Sequence, residues 1–410
     1  MLVWLAWLLI GSSLFMITFY LNAYHNSPVK EELEMVEFDE EPSVSILMPA
    51  YNEQDVVEGS IQSSLDIDYG NLEIIFVDDG SEDDTFSIAQ KFADEPKINL
   101  IQHSENKGKG EALNTALDET DSEYVIVQDA DSQLDGELIR KGASEMTLKE
   151  DVGAVITAIR PLEAENFVQK LQVIEYILTN FYRNLMSHLN ILDMTPGAFS
   201  MYRTSDVKRL GGFDTDNLTE DLEIAWRLKK DGKNIHMAFH ESTNTEFPDN
   251  FRDLYGQRVR WARGFMSNAY EKREMFFNKE LGWFGRFQLP VQIILPVIAI
   301  IGFWLVAVGW IQGLFSMAID LSTGKALFPS IGLENLERTL LNFSAVIYIP
   351  LIASLGLSAY ELKVAYSESD SSLTDLLPLL FYFAVFFMLK GFFWMAAILK
   401  ELRKSEKVWT

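Results

Sequence analysis

The sequence predicts an α/β domain built on a mostly parallel sheet and joined to α-helical transmembrane segments. Three observations predict it. Short β-rich runs alternate with helix-like stretches from Val44 onward, polar clusters close those runs, and long uncharged apolar runs flank the whole. Strands alternating with helices give a parallel sheet covered on both faces, and ligands then collect beyond the carboxyl ends of its strands.

Residues 2–24 carry no charge, about the ~20 residues that cross a bilayer. They have neither a basic start nor a small-residue cleavage pattern, so residues 1–24 read as an uncleaved transmembrane anchor. An acidic linker, 25–42, ends at Pro42. Val44-Ser-Ile-Leu-Met is then a first strand closed by Pro49, and Leu72-Glu-Ile-Ile-Phe-Val a second closed by Asp78-Asp-Gly-Ser. Ile98-Asn-Leu-Ile is a third, and Tyr124-Val-Ile-Val a fourth that runs into Gln-Asp129-Ala-Asp131. Helix-like stretches at 54–65, 84–93 and 110–117 lie between them. The segment 167–192 repeats apolar residues at helical spacing and is expected to pack on the core. Residues 43–250 thus form one α/β domain.

Residues 251–287 mix Arg252, Arg258, Arg260, Arg263, Lys272 and Arg273 with aromatic residues. That mixture predicts interfacial amphipathic helices facing anionic headgroups. Residues 288–400 hold about three further spans, from uncharged runs at 287–319 and 339–360 and a run at 376–399 interrupted only by Lys390. A lysine at that depth either faces the bundle interior or a wet path, or snorkels to the interface. The tail, 401–410, is basic and cytosolic or exposed: the positive-inside tendency keeps it inside, whereas three late spans would put it outside. The expectation is a multi-pass cell-membrane protein with its α/β domain in the cytosol.

Charge and composition exclude several classes. A formal charge of −26 repels polyanions, so nucleic acid is not a partner. Without cysteine there is no disulfide, thiolate zinc site or thiol nucleophile, and five scattered histidines do not make a histidine metal site.

Asp129 and Asp131, at the end of an apolar strand, suit Mg2+ or Mn2+ bridging to substrate phosphates. An Asp-x-Asp arises by chance in acidic chains; the preceding strand is what singles this one out. Pro49, Ala50, Tyr51 and Glu53, with Asp78 and Asp79 after the next strand, offer an aromatic face and carboxylates to a nucleotide base and ribose. Capped turns are the plainer account of those strings. Lys107 and Lys109 lie in a glycine-bearing loop entering a helix, where either adds positive charge toward a diphosphate. The loop is not a Walker A sequence, so an ATPase is not supported. Thr219-Glu220-Asp221 is an ordinary helix start, with Thr219 as cap, or it carries a general base at Asp221 beside Glu220. In Gln257-Arg258-Val259-Arg260-Trp261 the indole can stack on a sugar and a guanidinium can pair with phosphate; a basic membrane-surface helix explains the arginines but not the whole string.

Taken in order, Asp78-Asp79, Asp129-Ala-Asp131, Thr219-Glu-Asp221 and Gln257-x-x-Arg260-Trp261 resemble the processive branch of glycosyltransferase family 2, which includes the cellulose, chitin, hyaluronan and poly-β-1,6-N-acetylglucosamine synthases. The resemblance covers residues 44–263 and the flanking spans, and is nearest the last group through Gln257-Arg-x-Arg-Trp-Ala-Arg-Gly264. It departs at Phe265, where such relatives often place a second small residue. It implies a GT-A (Rossmann-like) cytosolic domain and inverting, metal-dependent transfer from a UDP-sugar, UDP-N-acetylglucosamine first, to a growing β-linked polysaccharide that is exported. It also implies site roles. Asp78 or Asp79 would hold uridine, Asp129 and Asp131 the metal-bound diphosphate, and Asp221 the acceptor proton. Trp261 would stack on the acceptor sugar, Arg260 would lie near the diphosphate, and Gly197 and Ala198 would belong to an acceptor-side loop. The implied partners are donor, polysaccharide and lipid bilayer, with room for a small membrane subunit. Two alternatives stand: a non-processive transferase acting on a lipid-linked acceptor, and a transporter or channel with a nucleotide-binding sensor domain.

Overall fold

The computed structural model describes residues 2–26, 33–134, 136–322, 345–369 and 376–403. Part of the expected linker (27–32), the start of the second late apolar run (339–344) and most of the tail (404–410) lie outside the described residues.

After helix α1 (Leu2–Asn26) the chain folds as β1 (Val44–Ala50), α2 (Val57–Leu65), β2 (Leu72–Asp78), α3 (Thr85–Ala89), β3 (Ile98–Gln102), α4 (Lys109–Asp118) and β4 (Tyr124–Val127). These strands pair in parallel in the order β3-β2-β1-β4, with Ala50 opposite Asp78 and Asp78 opposite Gln102. Side chains of β1 alternate between two cores, as the period of an extended chain requires. Leu47 packs with Leu113 and Ala116 of α4, while Ile46 and Met48 pack with Val57 and Ile61 of α2. The common direction and register bring Ala50, Asp78 and the residues after Val127 to one edge of the sheet.

The domain continues through β5 (Ser132–Gln133), α5 (Gly136–Leu148), β6 (Val152–Pro161), α6 (Phe167–His188), β7 (Ser200–Arg203), α7 (Thr204–Arg209), α8 (Glu220–Lys230) and β8 (Asn234–Thr245). The sheet extends beyond β4 as β7-β6-β8-β5. β7 is antiparallel to both β4 and β6, and β5 to β8, while β6 and β8 run parallel. The sequence reading named none of β5 to β8. β5 and β7 are too short to show a period, and β8 is polar along half its length. The α6 helix starts at a capping box formed by Asn166 and Gln169.

Beyond β8 come α9 (Phe251–Glu271), α10 (Leu289–Ser322), α11 (Ala345–Glu368), α12 (Leu376–Phe381) and α13 (Phe387–Leu402). Among the described residues two helices are long and apolar enough to cross a membrane, over Trp7–Asn26 and Phe284–Phe315. The run expected to be a third late span is split by a π turn at Tyr382–Phe386. Its second half, α13, packs Phe393 and Ala397 on Val259 and Ala262 of α9. Gly391 permits close approach to α10, since a Cβ there would lie 2.5 Å from the Ala299 carbonyl oxygen. The α6 stripe does pack inward, but its Phe181 and Leu185 meet Tyr20 and Ala23 of α1 and Val364 and Ala365 of α11.

The arginines of residues 251–287 correct the headgroup expectation in part. Arg258 pairs with Glu175 at 2.8 Å and Arg263 with Glu401 at 2.6 Å, both within the protein, whereas Arg252 and Arg273 are exposed. A partly buried guanidinium is held by a carboxylate because solvent alone cannot compensate it.

Trp226 of α8 is fully buried, edge-on to Phe265 of α9 at 5.8 Å and to Phe276 at 6.0 Å. Trp226→Ala should cost about 3–5 kcal/mol through the cavity it leaves. A clear drop in the thermal unfolding midpoint in detergent is expected; an unchanged midpoint would show that the α8–α9 seam contributes little.

Candidate active site

A cavity of about 970 Å³ opens at the carboxyl edge of the sheet and is walled on its far side by α9, α10 and α13. Pro49, Ala50, Tyr51 and Glu53 reach it from the end of β1, Asp79 from the turn after β2, and Lys109 from the start of α4. Asp129 and Asp131 reach it from the end of β4, and Gly197 and Ala198 from the loop before β7. Glu220 and Asp221 enter at the start of α8, and Gln257, Arg258, Arg260 and Trp261 from α9.

Asp78 and Lys107 do not line the cavity. Asp78 is fully buried, and its Oδ2 accepts from Gln102 Nε2 at 3.2 Å. The Lys107 side chain is exposed to solvent, and its backbone N–H donates to Asp79 Oδ1 at 3.0 Å. Of the two lysines, Lys109 is therefore the one that faces the cavity. Asp79 also accepts from Gly108 N at 2.7 Å and lies 2.7 Å from His103 Nδ1, so it anchors the loop that enters α4. Gly108 adopts φ +93° there, a conformation that favours glycine.

Lys109 stands at the centre. Its Nζ lies 2.5 Å from Asp129 Oδ1 and 3.2 Å from Glu220 Oε1, joining the acids after β4 to those opening α8. Burial works against its charge, but Asp129, Glu220 and Asp221 together hold its pKa above the usual lysine value. Gly197 completes the arrangement. A Cβ at that position would lie 2.5 Å from Lys109 Nζ and 2.8 Å from Asp129 Oδ2, so a side chain there requires those two groups to shift.

Asp131 accepts from Ser132 Oγ at 3.0 Å and Thr245 Oγ1 at 3.1 Å. Burial, then the charge of Asp129, raises its pKa. Burial pushes Glu53 up to about 8, with Asp131 and Asp129 adding to the shift. Such mutual repulsion fits a divalent cation, and an all-oxygen donor set suits Mg2+ or Mn2+. Among the described residues no three acidic or histidine side chains form a metal cage by themselves. An ion here would take its remaining ligands from substrate phosphate and water, as Mg2+ commonly does.

Burial, with Glu220 next to it, pushes Asp221 up to about 6 against the opposing pull of Lys109. Its Oδ1 accepts from Leu222 N at 2.7 Å, and its carbonyl accepts from Thr195 Oγ1 at 2.6 Å. Thr219 does not cap α8 with its side chain, contrary to the helix-start expectation. Its hydroxyl instead joins a buried network, 3.3 Å from Asn217 Oδ1 and accepting from Asn268 Nδ2 at 3.2 Å. Gly264 of α9 presses on Thr219 so closely that a Cβ would collide with it. The segment carrying Asp221 is thus held by α9.

Sequence reasoning missed the residues that α6 and the following loop contribute, Gln172, Glu175, Tyr176, Arg183 and Asp193, which also line the cavity. Their signal was present: Glu175 and Arg183 are charges at buried positions of an apolar stripe. Burial alone would raise Glu175, but Arg258 and Lys390 hold it down to about 2.

Residues 45–211 match the family model described as Glycosyl transferase family 2. Over 237 residues the chain is 30% identical to the poly-β-1,6-N-acetyl-D-glucosamine synthase of Staphylococcus epidermidis, a stretch covering 58% of this chain and 56% of that protein. It is 29% identical over 230 residues to the synthase of the same name from Staphylococcus aureus (strain MSSA476), covering 56% of each. The chain therefore spans little more than half the length of the curated relatives it matches. Among solved structures, a mannosyltransferase from Pyrobaculum calidifontis in complex with GDP-Man and Mn2+ gives a TM-score of 0.61 at 18% identity, over 99% of this chain and 100% of that one. The fold is shared, and the α/β domain is GT-A-like.

Two expected outcomes follow from the geometry. Gly197→Ala should displace Asp129 and Lys109 and lower turnover ~10-fold or more, measured as nucleotide release in a detergent preparation; wild-type turnover would show that the contact is not needed. With Asp221 as the base, the acid limb of the pH–rate profile is expected near pH 6, above the ordinary aspartate range. A base works as carboxylate, so activity is retained above that pH and lost below it.

Proposed function

We propose, with a family 2 glycosyltransferase domain at residues 45–211 as the premise, that this chain is a membrane-embedded inverting transferase that extends a β-linked polysaccharide from UDP-N-acetylglucosamine. One observation carries the reading: acids suited to a diphosphate-bound metal and an acid suited to proton abstraction share one cavity, bridged by Lys109, and that cavity is walled by α10 and α13. The names of the staphylococcal relatives support the donor and the polymer.

The acceptor hydroxyl attacks the anomeric carbon as the bond to the nucleotide breaks, and the electron pair leaves on the diphosphate oxygen. A single displacement turns an α-linked donor into a β-linked product. Asp221 takes the hydroxyl proton, its basicity raised by burial and then by Glu220 beside it. Pro49, Ala50 and Tyr51 border the nucleotide, with Asp78 and Asp79 shaping the turns beneath it, and Lys109 and Arg260 offset charge on the departing diphosphate. Asp129 and Asp131 would hold Mg2+ or Mn2+, which would supply positive charge to offset that developing on the leaving group. Trp261, 37% exposed, offers its indole to the acceptor sugar, beside the loop of Gly197 and Ala198. In this reading the protein is a multi-pass enzyme of the cell membrane with its catalytic domain in the cytosol, and the apolar helices carry the growing chain outward; the two helices long and apolar enough to span, Trp7–Asn26 and Phe284–Phe315, support it.

A screen of nucleotide sugars that follows UDP release and product size together tests the whole reading. Long products from UDP-N-acetylglucosamine support it; single additions to a lipid-linked acceptor, or no UDP release from any donor, overturn it. Asp221→Asn should lower transfer ~10²–10⁴-fold with near-normal UDP binding. Asp129→Ala and Asp131→Ala should weaken UDP binding and abolish its metal dependence, as read by calorimetry with and without Mg2+ or Mn2+.

A further inference from the structure

Lys390 interrupts an otherwise uncharged run, and its side chain is directed to Glu175 of α6 at 3.0 Å. Glu175 simultaneously takes Arg258 of α9 at 2.8 Å. The Arg258 guanidinium lies over the Trp261 ring at 4.2 Å, and the Lys390 ammonium lies 5.5 Å from the Phe386 ring. One carboxylate thus ties three elements from distant parts of the chain along the wall of the cavity, with a tryptophan at the end of the series.

We propose that Glu175 and Lys390 are positioning residues for the acceptor sugar: through Arg258 they hold the Trp261 indole in a single orientation as its stacking platform. The inference rests on the acceptor role given to Trp261 above. A charged network in an apolar setting is costly, and a well-packed hydrophobic substitute is often as stable or more so. Stability alone is therefore a poor reason for it, whereas fixed geometry is a good one. A guanidinium stacked on one face of the indole restricts its rotamers and leaves the opposite face for a ligand. Arg258 can do this only while its own plane is held, and Glu175 holds it. Lys390 fixes Glu175 from the membrane-side helix, so the seating of α13 sets the angle at which the platform meets a sugar.

The test uses the full chain in detergent, with a short β-1,6-linked N-acetylglucosamine oligomer as acceptor. Lys390→Met keeps the side-chain length and leaves a one-to-one Glu175–Arg258 pair, so it should fold. It should raise the acceptor KM ~10-fold and shorten products, with UDP affinity and kcat at saturating acceptor near wild type. Glu175→Gln should do more, and Lys390→Arg should restore the acceptor KM. If Glu175→Gln does not fold, Lys390→Met decides. Unchanged acceptor KM and product length in folded Lys390→Met overturn the proposal, as does a lowered unfolding temperature with an unaltered KM. Trp261→Ala separates the two readings. If it raises the acceptor KM while Lys390→Met does not, the positioning role alone fails. If it leaves acceptor KM and product length unchanged, the acceptor assignment fails and the platform with it.

Discussion

The ammonium of Lys109 between Asp129 and Glu220 is the contact on which the rest of the cavity depends. Glu53, Asp129, Asp131, Glu220 and Asp221 all border one volume. Acids gathered in this way repel one another and, away from water, become protonated. A fixed cation in their midst lets some remain ionised and separates the acids after β4 from those opening α8. Gly197 is part of the same solution, because any side chain there would occupy the space in which Lys109 and Asp129 meet.

The other half of the cavity is organised by α9. Its Gly264 and Asn268 lock the Thr219 segment, its Arg258 and Arg263 reach acids on α6 and α13, and its Val259 and Ala262 pack on α13. A helix expected to lie on the membrane surface is thereby a connector between the α/β domain and the apolar helices. Its Arg258 and Arg263 pair within the protein, while Arg252 stays exposed.

Much of the α/β domain was legible in the sequence. β1, β2 and β4 announce themselves by nearly continuous apolar runs, because strands buried on both faces have little polar alternation to hide them, whereas β3 is a half-exposed edge strand. The later strands lack that signature, and antiparallel β7 cannot be inferred from a strand–helix alternation. At the site, residue type and strand-end position pointed to the acids and to Gln257–Trp261. They could not distinguish Lys107 from Lys109, since both sit in the same loop and only the direction of the side chain separates them. Nor could they show that Asp79 is occupied in holding its own loop, or that Thr219 does not cap its helix.

What the sequence by itself determined was local. Periodicity set the strands and helices, apolar runs set α1 and α10, and the order of the acidic strings set which segments belong at the sheet edge. Only the tertiary structure decided who pairs with whom. Lys109 with Glu220, Arg258 with Glu175 and Lys390 with Glu175 join residues far apart in the chain, and electrostatic partners act through space. Each such pair rests on the relative placement of helices by core packing, which no local pattern of residues encodes.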